Sequence, residues 1–135
     1  MNLNFILMEM THLRYWMPLV IEGNKRGLQS TFFVGASGKY NCPLRYTNVL
    51  QQVSNENNIN LLPIVDIAAA NGIMFSSEKT GVHHLSSIPN CKKVVSTYQT
   101  DFIECYKVYE SRADHILMPS EFCADFYDRK SDKNL

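Results

Sequence analysis

Apolar residues in this chain gather in short, nearly unbroken runs separated by longer amphipathic or polar stretches. Leu3 to Met8 is the first run, short enough for one strand and apolar enough to be buried on both faces. The loop Glu9–Arg14 follows. The pattern then predicts a helix from about Tyr15 to Lys25. Pro18 suits a first helical turn, which draws the expected start toward Met17. Gly27 ends the helix, with Lys25 and Arg26 in the last turn, where cations suit the helix dipole.

Gln29–Val34 is a second strand, rich in residues that favour β structure. Gly35–Tyr40 is a loop with two glycines. Asn41 is placed to cap a second helix with Pro43 in its first turn. Tyr46, Val49, Leu50 and Val53 then repeat at helical spacing on one face. Asn55–Asn58 is a polar break. Ile59–Val65 is a third strand, and Pro63 within it suits a sheet edge. Asp66–Asn71 reads as a short helical turn that Gly72 stops. Ile73–Phe75 is a fourth strand, opening onto Ser76-Ser77-Glu78-Lys79.

Thr80–Asn90 is the least regular segment. Lys93–Thr97 is a fifth strand. Thr100 can cap a helix from Asp101 to Arg112, with Phe102, Tyr106 and Tyr109 on one side. Asp114–Met118 is a sixth strand, expected to be buried, that turns at once into a helix from Glu121 to about Asp128. Ser120 is placed to cap that last helix, and Glu121 sits at the positive end of its dipole. Strand and helix alternating in this way predict an α/β fold, a Rossmann-like parallel sheet of about six strands with helices on both faces. Residues 1–128 form one domain in this reading, and 129–135 are a polar, frayed tail.

Composition narrows the class. The 135 residues are 45% hydrophobic and 19% charged, a globular balance. Thirteen basic and thirteen acidic side chains cancel, which argues against a nucleic-acid partner that would need a basic surface. Cys42, Cys91, Cys105 and Cys123 form no close pair, so reduced thiols rather than a metal site are expected. The apolar start has no basic region or cleavage site of a secretory leader. No run approaches the roughly 20 apolar residues of a membrane span. A cytoplasmic protein without a membrane span is the expectation.

In open parallel sheets, ligands bind beyond the carboxyl ends of the strands, where strand order reverses. In a Rossmann-like order that crevice lies between the first and fourth strands. Its candidate lining is Glu9, Thr11 and His12 after the first strand and Ser76, Ser77 and Glu78 after the fourth. Gly35, Ser37 and Gly38 follow the second strand, Thr97–Asp101 the fifth and Ser120 the sixth. His12 has the side chain best suited to general-base work near neutral pH. A capping or surface histidine fits the same position, and Glu9 can either orient His12 or cap the next helix. Adjacent His83 and His84 point different ways in regular structure, which disfavours a shared metal. Gly35–Lys39 has the composition and context of a phosphate-holding loop but neither the Gly-x-Gly-x-x-Gly spacing nor a Gly-Lys-Ser/Thr ending, and so reads as a turn before the second helix rather than as a phosphate site.

Two stretches resemble a known family. His12-Leu13-Arg14-Tyr15-Trp16-Met17-Pro18-Leu19, followed by Lys25-Arg26-Gly27-Leu28-Gln29-Ser30-Thr31-Phe32, is similar to the opening of the amino-terminal domain of GT-B glycosyltransferases. Ala113-Asp114-His115-Ile116-Leu117-Met118-Pro119-Ser120-Glu121-Phe122 resembles a segment late in that domain, shared with glycerophosphotransferases of cell-wall polymers. Thr11 stands where many members have a glycine. The resemblance implies an acceptor-binding half-enzyme. His12 would be its catalytic base, and Glu9, Thr11, Ser76, Ser77, Glu78 and Ser120 would shape the site for a glycan or other hydroxyl acceptor. It implies no cofactor in this chain, and a nucleotide-sugar donor held by a carboxyl-terminal domain or partner chain. On that expectation the chain alone is inactive and ends where a linker to the second domain would start. The alternatives are a non-catalytic Rossmann-like binding module and a small flavodoxin-like nucleotide-binding protein.

Overall fold

The computed structural model describes residues 1–35, 47–77, 81–96 and 112–117. Six strands form one sheet: β1 (Asn2–Leu7), β2 (Gln29–Val34), β3 (Ile59–Pro63), β4 (Gly72–Ser77), β5 (Cys91–Ser96) and β6 (His115–Leu117). Their order is β3-β2-β1-β4-β5-β6, and every neighbouring pair is parallel. The fold is Rossmann-like α/β. The chain winds outward from β1 to β3, then returns to the other side of β1, so strand order reverses between β1 and β4. This order differs from the 2-1-3-4-5 order of flavodoxin-like sheets.

Alternation along the strands builds two cores. On one face, helices α1 (Leu13–Lys25) and α2 (Thr47–Asn57) cover Leu3, Phe5, Leu7, Phe32 and Phe75. Phe5 is fully buried, stacked on Phe75 at 5.1 Å between ring centroids and met edge-on by Phe32 at 5.5 Å. Burying a side chain of this size contributes about 1.5–3 kcal/mol. On the other face, Ile6, Phe33, Met74 and Val95 pack against two 3-10 turns, Ile64–Ala69 and Val82–Ser87. The apolar residues of these segments recur every third position: Ile64, Ile67 and Ala70, then Val82, Leu85 and Ile88, all in this second core. A spacing of three stacks side chains on one edge of a 3-10 helix, whereas an α-helix would spread them.

Several boundaries differ from the sequence reading for identifiable reasons. A 3-10 turn, Met10–His12, leads straight into α1 at Leu13, earlier than Tyr15 or Met17. Pro18 therefore sits inside the helix, on its exposed side, while Trp16, Val20 and Gly23 are buried. Packing of that buried face outweighs the backbone bond Pro18 cannot make. Gly27 does end α1: at φ +73° it lets Leu28 N–H reach Gly23 O at 2.9 Å and Gly27 N–H reach Asn24 O at 3.1 Å. The expected polar break Asn55–Asn58 is the last turn of α2 with its left-handed exit at Asn58, φ 55°.

The third strand stops at Pro63, on the sheet edge as Pro63 suggested. Ser76 and Ser77 are the last residues of β4 rather than a loop, and Gly72 opens that strand. The sixth strand, expected to be buried, is the opposite sheet edge, with His115 and Leu117 exposed. Asn41, Pro43, the helix expected from Asp101, the Ser120 cap and the final helix lie outside the described residues. No helix among the described residues is long and apolar enough to cross a membrane.

Candidate functional site at the β1–β4 carboxyl edge

β1 and β4 run side by side, with Leu3, Asn4 and Phe5 opposite Ile73, Met74 and Phe75. Their carboxyl ends therefore emerge together. From β1 come Glu9, Thr11 and His12; from β4 come Ser76 and Ser77. Glu9 has extended backbone, and its carbonyl accepts from His12 N–H at 3.1 Å, which tightens the turn that delivers His12 to the start of α1. Thr11 is exposed and Glu9 half-buried. Glu78 and Ser120 lie outside the described residues, as do Gly38, Ser37 and Thr97–Asp101.

His12 is 1% exposed. Its ring lies 6.4 Å from Trp16, edge-on, and 6.5 Å from Tyr15, centroid to centroid. Trp16 in turn donates its indole N–H to Ile6 O at 3.1 Å, which pins the first turn of α1 to the last turn of β1. The imidazole is thus held by a packed aromatic wall rather than displayed on a mobile loop. Arg14 lies over the Tyr15 ring, 5.3 Å from its centroid, and places a cation beside the same turn.

Ser76 and Ser77 are both buried. Ser76 Oγ donates to Ser77 O at 3.1 Å, so its hydroxyl is engaged with the strand's own backbone. The chain returns to this strand end at Gly81, which bridges Ser77. Gly81 has φ +95°, and a Cβ there would lie 2.6 Å from Ile6 Cγ2 and 3.3 Å from Ser76 Oγ. Only glycine allows so close a return over β1 with that backbone angle.

His83 and His84 follow, their rings 4.1 Å apart. Partial burial, then the neighbouring His83, hold His84 below its ordinary pKa. On β5, burial pushes the Cys91 thiol up, with Lys93 acting in the opposite direction. Among the described residues, no group of three or more His, Cys, Asp or Glu could hold a metal ion.

The reversal point brings Glu9, Thr11 and His12 to the same edge as Ser76 and Ser77. Sequence reasoning missed two residues that shape this edge. Trp16 anchors the His12 turn, and Gly81 closes the return over β4. Gly81 was marked only by a glycine just past a strand, and Trp16 only by its place four residues after His12. No protein-family profile, curated protein or solved structure matches this chain.

Proposed function

We propose that the chain is the acceptor-binding half of a GT-B-type glycosyltransferase. In this reading it acts with a donor-binding domain or partner chain to transfer a sugar from a nucleotide-activated donor to a hydroxyl. The observation that supports the reading is the meeting of the β1 and β4 carboxyl ends at the reversal of strand order, with His12 on one and Ser76–Ser77 on the other. An acceptor hydroxyl gives its proton to the neutral imidazole of His12. The freed oxygen attacks the anomeric carbon of the donor sugar. The bond to the nucleoside diphosphate breaks, and the diphosphate leaves with the electron pair. Glu9 and Thr11 border the acceptor, and Ser76 and Ser77 line the strand end beneath it. Glu78 and Ser120, which follow β4 and β6 in sequence, are the remaining residues proposed for the acceptor site.

Burial of His12 suits a base that meets one enclosed hydroxyl and excludes bulk water. The test is His12→Gln in the chain joined to its donor-binding partner, assayed against a panel of nucleotide-activated sugars and hydroxyl acceptors. Loss of a general base lowers kcat by about 10²–10⁴-fold. A loss below tenfold removes the base assignment. Tight nucleotide binding by the 135-residue chain on its own would instead favour a small nucleotide-binding protein.

A further inference from the structure

The sheet face opposite α1 and α2 changes character along its strands. Toward the carboxyl ends, the neighbouring residues Ile6, Phe33 and Leu62 form an apolar row. One row nearer the amino ends, the neighbours are Asn4, Thr31 and Asn60; the next holds Asn2 beside Gln29. Asparagine is disfavoured in strands, and valine would serve better at these positions if a helix merely covered them. A depression of about 510 Å³ opens over the polar rows, within the range of small-ligand sites. Asn4, Thr31, Phe33, Asp66 and Asn71 are among the residues that line it.

Two of its polar side chains are more than nine-tenths buried. Asn4 is 3% exposed and Thr31 7%. The Asn4 amide donates to Asn71 O at 2.7 Å and Ile73 O at 3.1 Å, which fixes its orientation and leaves its carbonyl oxygen as an acceptor. The Thr31 hydroxyl makes no hydrogen bond among the described residues. That hydroxyl therefore keeps both its donor and its acceptor capacity for a ligand in the depression. Asp66 adds an exposed carboxylate, which can accept from two adjacent hydroxyls. No Lys or Arg is among the described lining residues, so a phosphate or nucleotide finds no charge partner there.

We propose that this depression binds a neutral polyhydroxy ligand, a sugar or polyol. Asn4, Thr31 and Asp66 would exchange hydrogen bonds with its hydroxyls, and Phe33 and Leu62 would receive its C–H surface. The site is independent of the carboxyl edge and does not rest on the His12 reading.

The experiment is an amide NMR titration of the 135-residue chain with glucose, N-acetylglucosamine and glycerol in turn, with inorganic phosphate as the anionic control. Saturable shifts at the Asn4, Thr31 and Asn71 amides are expected with at least one of the three, at a Kd of the order of 1–10 mM. Phosphate should leave these amides unmoved. Thr31→Val keeps a strand-forming shape and should weaken binding at least tenfold, with an unfolding midpoint at or above that of the parent. Asp66→Asn, at an exposed position, should weaken binding several-fold and gives a second variant. Absence of saturation with all three compounds overturns the proposal. So does binding that neither variant changes, or saturation of the same amides by phosphate.

Discussion

Trp16 donates its indole N–H to the carbonyl oxygen of Ile6 at 3.1 Å, and both groups are buried. Ten residues separate them in sequence, and the bond joins the first turn of α1 to the end of the central strand. The His12 turn lies between these two anchors. Trp16→Phe removes the donor and leaves a buried carbonyl unpaired, at a cost of about 1–3 kcal/mol. Trp16→Ala adds a cavity and should cost about 3–5 kcal/mol. Urea denaturation measures both. A Trp16→Phe loss below about 0.5 kcal/mol would mean that the oxygen finds another partner.

Two glycines separate backbone strain from steric contact. Gly27 has φ +73° with open space where a Cβ would be, so Gly27→Ala incurs the left-handed backbone penalty alone, about 1–2 kcal/mol. Gly81 has φ +95° and would also press its Cβ onto Ile6 Cγ2 at 2.6 Å. Gly81→Ala should therefore cost about 1–3 kcal/mol more than Gly27→Ala, the range for overpacking a core. Equal losses would show that β1 yields to the new methyl group. Chemical denaturation of the two variants side by side decides between these outcomes.

How much of this was legible in the sequence depended on whether the cause was local. Gln29–Val34 was read to the residue, because a run of β-favouring side chains lies between Gly27 and Gly35. β1 and β4 were found with shifted ends. Ser76 and Ser77 read as loop because serine is a weak strand former, yet their pairing with Val95 and Ser96 keeps them in the sheet. Pro18 misled the start of α1, since its cost is local and the burial of Trp16 that offsets it is not.

The cover of the second face carries its own signal in the sequence. Ile64, Ile67 and Ala70, like Val82, Leu85 and Ile88, are spaced by three, the 3-10 period rather than the helical one. The adjacency of the β1 and β4 carboxyl ends followed from counting strand–helix alternations. The Trp16–Ile6 bond and the contact of Gly81 with Ile6 did not, because each joins segments whose proximity only the folded sheet creates.

Ser30 and Ser54 are buried, and neither hydroxyl has a hydrogen-bond partner among the described residues. Removing an unpaired buried hydroxyl relieves its desolvation cost. In α2, alanine also has the better helix propensity, so Ser54→Ala should stabilise the protein by about 0.5–1 kcal/mol. In β2, alanine is a poor strand residue, which offsets the gain, and Ser30→Ala should fall within about 0.5 kcal/mol of the parent. Thermal and urea unfolding test the order of the two. A loss above about 1 kcal/mol for Ser54→Ala would reveal a partner for its hydroxyl.

The last prediction concerns acid. His84 titrates below its ordinary value of 6.5, first because burial penalises the charged ring and second because His83 lies beside it. In the unfolded chain the burial is lost and the coupling to the sequence neighbour His83 loosens, so between the lowered folded value and 6.5 the unfolded state binds more protons than the folded one. Stability from this group is present above pH 6.5 and is lost as pH falls through that window. Unfolding followed from pH 7.5 down to pH 5 should show a decline that His84→Gln reduces. His83→Gln tests the ranking of causes. It removes the like-charge neighbour but not the burial, so His84 in that variant should titrate higher than in the parent yet still below 6.5, as read from its ring-proton NMR shift. Full return to 6.5 would make His83, rather than burial, the main cause. No change at all would leave burial as the sole one and would mean that the 4.1 Å ring approach carries no charge coupling in solution.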